Sequence, residues 1–252
     1  MLFLKKENGE IVLLIDIGNG SIGAAFVLFK EGQIPKIIYN IRLPFAISDS
    51  VDSFKLSQGM DMLLDEVLKT IMKKGFEIEF WKRKSKKISF VLLSFSSPWF
   101  LAKTKDIHIA EEKPFIISET FLENILEKEV EIFQNELGGE AGVKTDSFFV
   151  IEHSVVHTKI NGYAIKASLG KKTNVFDLTL CLSVVAKSIV GKVKTTISKH
   201  THIGNDKIKM QTFPLVSFTV LRDMFGDVEN FMMMDITAEI TEITLVADNV
   251  IT

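Results

Sequence analysis

The alternation of apolar and polar positions predicts elements from the start of the chain. Glu10 to Ile17 is an apolar run that stops at a turn, Gly18-Asn19-Gly20-Ser21, and so reads as a buried strand. Ile22 to Phe29 resumes as a second strand. Glu31-Gly32 turns the chain again, and Ile34 to Leu43 forms a third. Three consecutive strands joined by tight turns predict an antiparallel meander. Leu56, Met60, Leu63, Leu64, Val67, Leu68 and Ile71 then recur at helical spacing, which predicts a helix over Ser53 to Lys74 with Gly75 stopping it. Ile88 to Phe95 is a strongly apolar strand, so the opening segment reads β-β-β-α-β.

The middle of the chain has a different texture. Trp99 to Ile109 is a strand of mixed polarity. Ser118 is placed to cap a helix that buries Leu122, Ile125, Leu126, Val130, Phe133 and Leu137 and ends at Gly138-Gly139. Phe148 to Lys159 and Tyr163 to Leu169 flank Asn161-Gly162, a strong hairpin signal. The earlier style then returns: a buried strand over Phe176 to Val185, a helix marked by Ala186, Ile189, Val190, Val193 and Ile197, and a short strand at Lys207 to Thr212. Pro214 opens a helix with Leu215, Phe218, Leu221 and Phe225 on its apolar face. Phe231 to Ile236 and Ile240 to Ala247 are two strands around Thr237-Ala238-Glu239, and Thr252 falls in another strand.

Composition narrows the classes. With 252 residues, 46% hydrophobic and 25% charged, the chain can bury a sizeable core in one large domain or two subdomains. A formal net charge of -2 gives no global pull toward nucleic acid. Five His and one Cys exclude a disulfide framework, speak against a zinc site and suit a reducing cytoplasm. No stretch reaches the roughly 20 apolar residues that span a bilayer. Met1 to Lys6 is too short and too interrupted for a signal peptide.

The chemistry concentrates at Asp16-Ile17-Gly18-Asn19-Gly20-Ser21. Glycines let a backbone approach phosphate oxygens with its N–H groups. Gly18, Gly20 and Gly23 supply that freedom, Asn19 and Ser21 add side-chain donors, and Asp16 at a strand end suits a hydrated Mg²⁺. The competing reading is an ordinary β-turn, since Asn-Gly is a common hairpin sequence. Elsewhere the plainer readings prevail. Lys82 to Lys87 reads as a solvated loop, with anionic lipid, nucleic acid or an acidic partner as the alternatives. His200-Thr201-His202 reads as a surface loop rather than a metal site, and Cys181 as a packed core thiol. Glu111-Glu112 reads as an exposed turn and Met232-Met233-Met234 as core packing. Trp99 and Phe100 read as partly exposed aromatics suited to protein contacts.

The order of elements resembles the FtsA bacterial cell-division family of the actin, sugar-kinase and heat-shock-chaperone superfamily. Ile15-Asp16-Ile17-Gly18 looks like the first phosphate motif of that family. Ser94 to Phe100 sits where its inserted subdomain begins, and Val150 to His153 and Tyr163 to Ile165 are similar to the paired strands late in that insert. Leu180 to Ser183, Ile189-Val190 and Phe213 to Phe218 resemble the return strand, return helix and connecting helix. Met234-Asp235-Ile236-Thr237 falls at the second phosphate motif. The PilM pilus-assembly family shares this architecture.

The resemblance implies an α/β, actin-like or ribonuclease H-like fold with a mixed sheet. Residues 1–95 and 173–228 form subdomain 1A, residues 96–172 an inserted β-α-β-β subdomain of the 1C or SHS2 kind, and residues 229–252 the opening of subdomain 2A. It also implies ATP with Mg²⁺ as cofactor, held by Asp16, Gly18, Asn19, Gly20, Ser21, Asp235 and Thr237, with Asp16 and Asp235 toward the metal. Two departures bear on this. The second turn, Thr237-Ala238-Glu239-Ile240-Thr241, has no glycine, only a less secure acid at Glu242, and a carboxylate at Glu239 that repels phosphate if it faces it. The chain also stops where the family's second lobe begins, as a fragment or a degenerate relative does.

The implied function is an actin-related scaffold of cell division that binds an FtsZ-like tubulin homologue or other divisome proteins. Self-association and residence in the cytoplasm, meeting the inner face of the membrane only through partners, go with that reading. A PilM-like pilus scaffold is the first alternative. A weak ATPase or sugar-kinase-like enzyme is the second, and the altered second turn weighs against it.

Overall fold

The structure, a computed structural model, describes residues 9–45, 53–78, 87–141, 147–165, 167–238 and 240–251. The basic run up to Lys86 and the Glu239 carboxylate lie outside the described residues. The chain divides into two compact units. The first takes its described residues from Met1–Trp99, Ser188–Gln211 and Thr237–Ile240, the second from Phe100–Lys187, Thr212–Ile236 and Thr241–Thr252.

In the first unit, β1 (Glu10–Ile17) pairs antiparallel with β2 (Ser21–Phe29), and β2 with β3 (Lys36–Pro44), as the meander predicts. The helix α1 (Ser53–Gly75) carries the chain over to β4 (Phe90–Phe95), which lies parallel to β1. A fifth strand, β9 (Ile208–Thr212), completes the order β3-β2-β1-β4-β9. β1 is central and buries Ile11, Val12, Leu13, Ile15 and Ile17 on both faces, which is why it reads as an unbroken apolar run. Met60, Leu64, Val67, Leu68 and Ile71 of α1 are fully buried, at helical spacing. Gly75 ends α1 where a side chain would crowd the Phe26 ring: a Cβ there would lie 2.7 Å from Phe26 Cε2. The helix α3 (Lys187–Thr201) buries Val190, Val193, Thr196 and Ile197. It is tied to α1 by Thr196 Oγ1 donating to Asp61 (3.1 Å) and by Lys199 and His200, both bonded to Asp65 (2.7 and 2.8 Å). His200 therefore belongs to a helix-to-helix contact and not to a surface loop.

In the second unit, β5 (Leu101–Ile116), β8 (Lys172–Ala186), β6 (Phe148–Ile160) and β7 (Tyr163–Ala164) form an antiparallel sheet in that order. The helix α2 (Glu119–Ala141) covers one face. Ser118 caps it, its hydroxyl accepting the Phe121 N–H at 3.1 Å. Phe176, Leu178, Leu180, Leu182 and Val184 alternate along β8 and pack with Ile117 and Phe133. Three features differ from the sequence reading. The helix α2 runs through Gly138-Gly139 to Ala141, the strand at Tyr163 is only two residues long, and β5 and β8 are longer than their apolar cores.

The rest of this unit is α4 (Phe213–Met224), β10 (Phe231–Ile236), β11 (Thr241–Ala247) and β12 (Val250–Ile251), with sheet order β10-β11-β12. Leu215 and Phe218 of α4 pack with Val246, Ile251, Phe231, Met233 and Val156. Only Met233 of the methionine triplet belongs to this core. Met232 and Met234 are half exposed beside Ile236, Ile243 and Leu245, which corrects the core reading of the whole triplet.

Candidate functional site at the first hairpin

The turn Gly18-Asn19-Gly20-Ser21 joins two strands whose register is set up to the turn itself, with Ile17 opposite Ile22 and Asp16 opposite Gly23. The Gly18 N–H donates to the Ser21 carbonyl at 3.1 Å and closes the turn. Two other groups hold it from outside. Trp99 Nε1 donates to the Gly18 carbonyl at 2.7 Å, and the Phe45 N–H donates to the Gly20 carbonyl at 2.9 Å. Trp99 is therefore buried against the hairpin, and the exposed aromatic expected from the sequence is corrected. Its indole N–H needs a buried acceptor, and the turn provides one.

Register places four residues in one line across the sheet. Ser94 on β4 lies beside Asp16 on β1, Asp16 beside Gly23 on β2, and Gly23 beside Arg42 on β3. Cross-strand partners share a face, and Gly23 has no side chain, so Arg42 reaches over it to Asp16. Arg42 Nη2 donates to Asp16 Oδ2 at 2.6 Å and Nη1 to Ser21 Oγ at 2.8 Å. Ser94 Oγ donates to Asp16 Oδ1 at 3.0 Å. Both carboxylate oxygens of Asp16 thus have protein donors. A Cβ at Gly23 would lie 2.7 Å from Arg42 Nη2, so the glycine is what the crossing arginine requires.

Gly20 has a similar reason for being small: a Cβ there would lie 2.6 Å from the Ala238 Cβ. The Thr237-Ala238 turn belongs to this same unit. Thr237 closes that turn, its N–H and its hydroxyl both donating to the Ile240 carbonyl at 3.1 and 2.6 Å. Asp235 lies in the second unit, on β10, directly opposite Glu242 of β11. Asp16, Gly18, Asn19, Gly20, Ser21 and Thr237 are thus all in the first unit. Arg42, Ser94 and Ala238 join them, and none of those three stands out in the sequence.

Among the described residues, Asn19 is the unsatisfied side chain at the turn. It is 4% exposed, and neither its Oδ1 nor its Nδ2 has a hydrogen-bond partner among the described residues. A buried amide left unpaired costs about 1–3 kcal/mol per group, so such a side chain points to a polar ligand atom or an ordered water.

No protein-family model matches the chain, and no curated protein matches it. Solved structures do. The PilM-PilN type IV pilus biogenesis complex is similar with a TM-score of 0.52 at 13% identity, over 96% of this chain and 59% of that one. The fold is that of the actin-like ATPases. A Bacteroides thetaiotaomicron protein with actin-like ATPase fold and unknown function is similar at a TM-score of 0.46 and 10% identity, over 100% of this chain and 71% of that one. An Aquifex aeolicus Ppx/GppA phosphatase is similar at 0.38 and 9%, over 96% and 50%. The chain therefore spans about three fifths of the PilM chain's length. In this actin-like fold the hairpin at residues 16–21 joins the first two strands of the central sheet.

The residues can be tested against the cofactor such a fold implies. The orphaned amide of Asn19 fits a polar ligand. The Ser21 hydroxyl accepts from Arg42 and keeps its own proton to donate. Asp16 does not fit a divalent cation, because a guanidinium already neutralises it and both its oxygens accept hydrogen bonds. Among the described residues, no group of three or more His, Cys, Asp or Glu is placed to hold a metal.

Two buried titratable groups read as structural. Burial pushes the Cys181 thiol up to about 11, so it is protonated at neutral pH and inert as a nucleophile. Glu152 is buried on β6, and that burial holds its carboxyl above the usual range. It accepts from Ser183 Oγ (2.8 Å), Thr212 Oγ1 (2.8 Å) and the Thr212 N–H (3.2 Å). Thr212 is the N-cap of α4 and its own side chain makes no capping bond, so Glu152 serves the helix end instead. Among the described residues no helix is long and apolar enough to cross a membrane.

Proposed function

We propose that this chain is an actin-like scaffold that binds protein partners and does not turn over substrate. The observation that supports this best is the state of the first hairpin: its carboxylate, Asp16, is committed to Arg42 and Ser94 and is not held free as a base. A nucleotide phosphate is the ligand we assign to the turn, with Asn19 and Ser21 as its side-chain donors. ATP is the natural candidate for this fold, and it serves here as a structural ligand.

Partner binding falls to the inserted block at 96–172, whose sheet is completed by β8 (Lys172–Ala186). Exposed apolar side chains in that block support the assignment: Tyr163 is 78% exposed, Ile116 59% and Leu169 57%. The likeness to a PilM-PilN complex favours a pilus-assembly partner of the PilN kind. The order of elements and the motif at Asp16 equally support a division role with an FtsZ-like tubulin homologue. Titration of the purified chain with the PilN and FtsZ homologues of its own organism decides between them. The expected result is saturable binding to one of the two, weakened at least tenfold by Tyr163→Asp with Leu169→Asp. Binding to neither, or binding indifferent to that pair, counts against the scaffold.

A further inference from the structure

We propose that Arg42 is the resident cation of this hairpin and stands where a divalent metal would otherwise neutralise Asp16. The inference rests on the phosphate-hairpin reading for its meaning, but its grounds are local. Three observations carry it. The guanidinium bridges Asp16 Oδ2 and Ser21 Oγ at 2.6 and 2.8 Å, linking the strand before the turn to the residue that ends it. Ser94 takes the other carboxylate oxygen at 3.0 Å. Gly23, between Asp16 and Arg42 in the sheet, leaves the space through which that side chain crosses, and a Cβ would lie 2.9 Å from Arg42 Cζ.

Chemistry favours the arginine over the metal here. Guanidinium is always charged and offers a rigid fork of donors matched to carboxylate geometry. Mg²⁺ sheds water reluctantly and binds through carboxylates that are not already neutralised. The pair is half exposed, so its contribution to stability is small. Its effect is positional: it sets the hairpin without metal and leaves a positive group beside the turn. A phosphate at this turn is then met by Arg42, Asn19 and Ser21, and its binding does not require Mg²⁺.

The test uses the full chain with MgCl₂ alone. Trp99 bonds to the Gly18 carbonyl, so in a Trp81→Phe background its emission reports on the turn. We expect the wild-type emission and thermal midpoint to be the same in millimolar Mg²⁺ and in EDTA. In Arg42→Gln, which releases Asp16, Mg²⁺ should raise the midpoint by about 2–4 °C. Arg42→Met, which also leaves Asp16 without a cation, replaces the glutamine variant if that one does not fold. A wild-type midpoint that rises in Mg²⁺ and falls in EDTA overturns the proposal, as does a variant indifferent to Mg²⁺. The phosphate reading is separable. ATP that fails to bind in either buffer sinks that reading alone, whereas ATP that binds only with Mg²⁺ keeps it and overturns the role of Arg42.

Discussion

Removing the buried carboxylate of Glu152 should unfasten the start of α4. Glu152 accepts three hydrogen bonds, from the Ser183 hydroxyl, the Thr212 hydroxyl and the Thr212 N–H. Ser183 and Thr212 are themselves buried, so in Glu152→Ala these donors lose their acceptor without gaining bulk water. The hydroxyls can rotate to other acceptors, but the N–H cannot. One orphaned N–H and two lost bonds sum to a destabilisation of about 3 kcal/mol. Glu152→Gln keeps the shape and an acceptor for the N–H, and should stay within about 1 kcal/mol of wild type at neutral pH.

The pH dependence has a definite sign. Burial raises the Glu152 carboxyl above its unfolded value, so between the two values the folded chain holds the extra proton. Stability contributed by this group therefore falls as pH rises from the ordinary carboxylate range through the raised value. Glu152→Gln should flatten that slope. Urea unfolding followed by circular dichroism between pH 4 and pH 8 measures both effects, and hydrogen exchange at Thr212 localises them. If Glu152→Ala matches Glu152→Gln in stability and in exchange at Thr212, the remote cap is refuted.

Two further substitutions probe the first unit. Gly23→Ala puts a methyl 2.7 Å from Arg42 Nη2, so the guanidinium must leave Asp16. A loss of no more than about 1 kcal/mol in urea, with a changed Trp99 emission, is expected. Leu68→Ala empties a fully buried site on α1 and should cost about 2–5 kcal/mol by the same assay.

The elements that periodicity reveals are those packed by one repeating face. β1, α1 and β8 carry their burial in the sequence, as continuous apolar runs or at helical spacing. The hairpin at Asp16 is legible as a turn with glycines, but the reasons for those glycines are not. Gly23 and Gly20 are small because Arg42 and Ala238 come against them, and those contacts depend on register. An irregularity between Phe26 and Val27 shifts the β2–β3 pairing, so Arg42 cannot be counted into line with Gly23 from the turn. A second irregularity between Val150 and Glu152 likewise hides which face Glu152 takes. Trp99 is not legible as buried because its hydrogen-bond acceptor, the Gly18 carbonyl, lies far back in the chain. Met232 to Met234 read alike in the sequence because an apolar run cannot tell a strand buried on both faces from one buried on a single face.

The central claim is that the hairpin at residues 16–21 takes a phosphate without a metal and without turnover. Calorimetric titration of the purified chain with ATP, once in Mg²⁺ and once in EDTA, tests it most directly. The account predicts the same affinity in both buffers, a loss of at least tenfold in Asn19→Leu, and no phosphate released over the titration. No heat in either buffer, or steady release of phosphate in Mg²⁺, would contradict it.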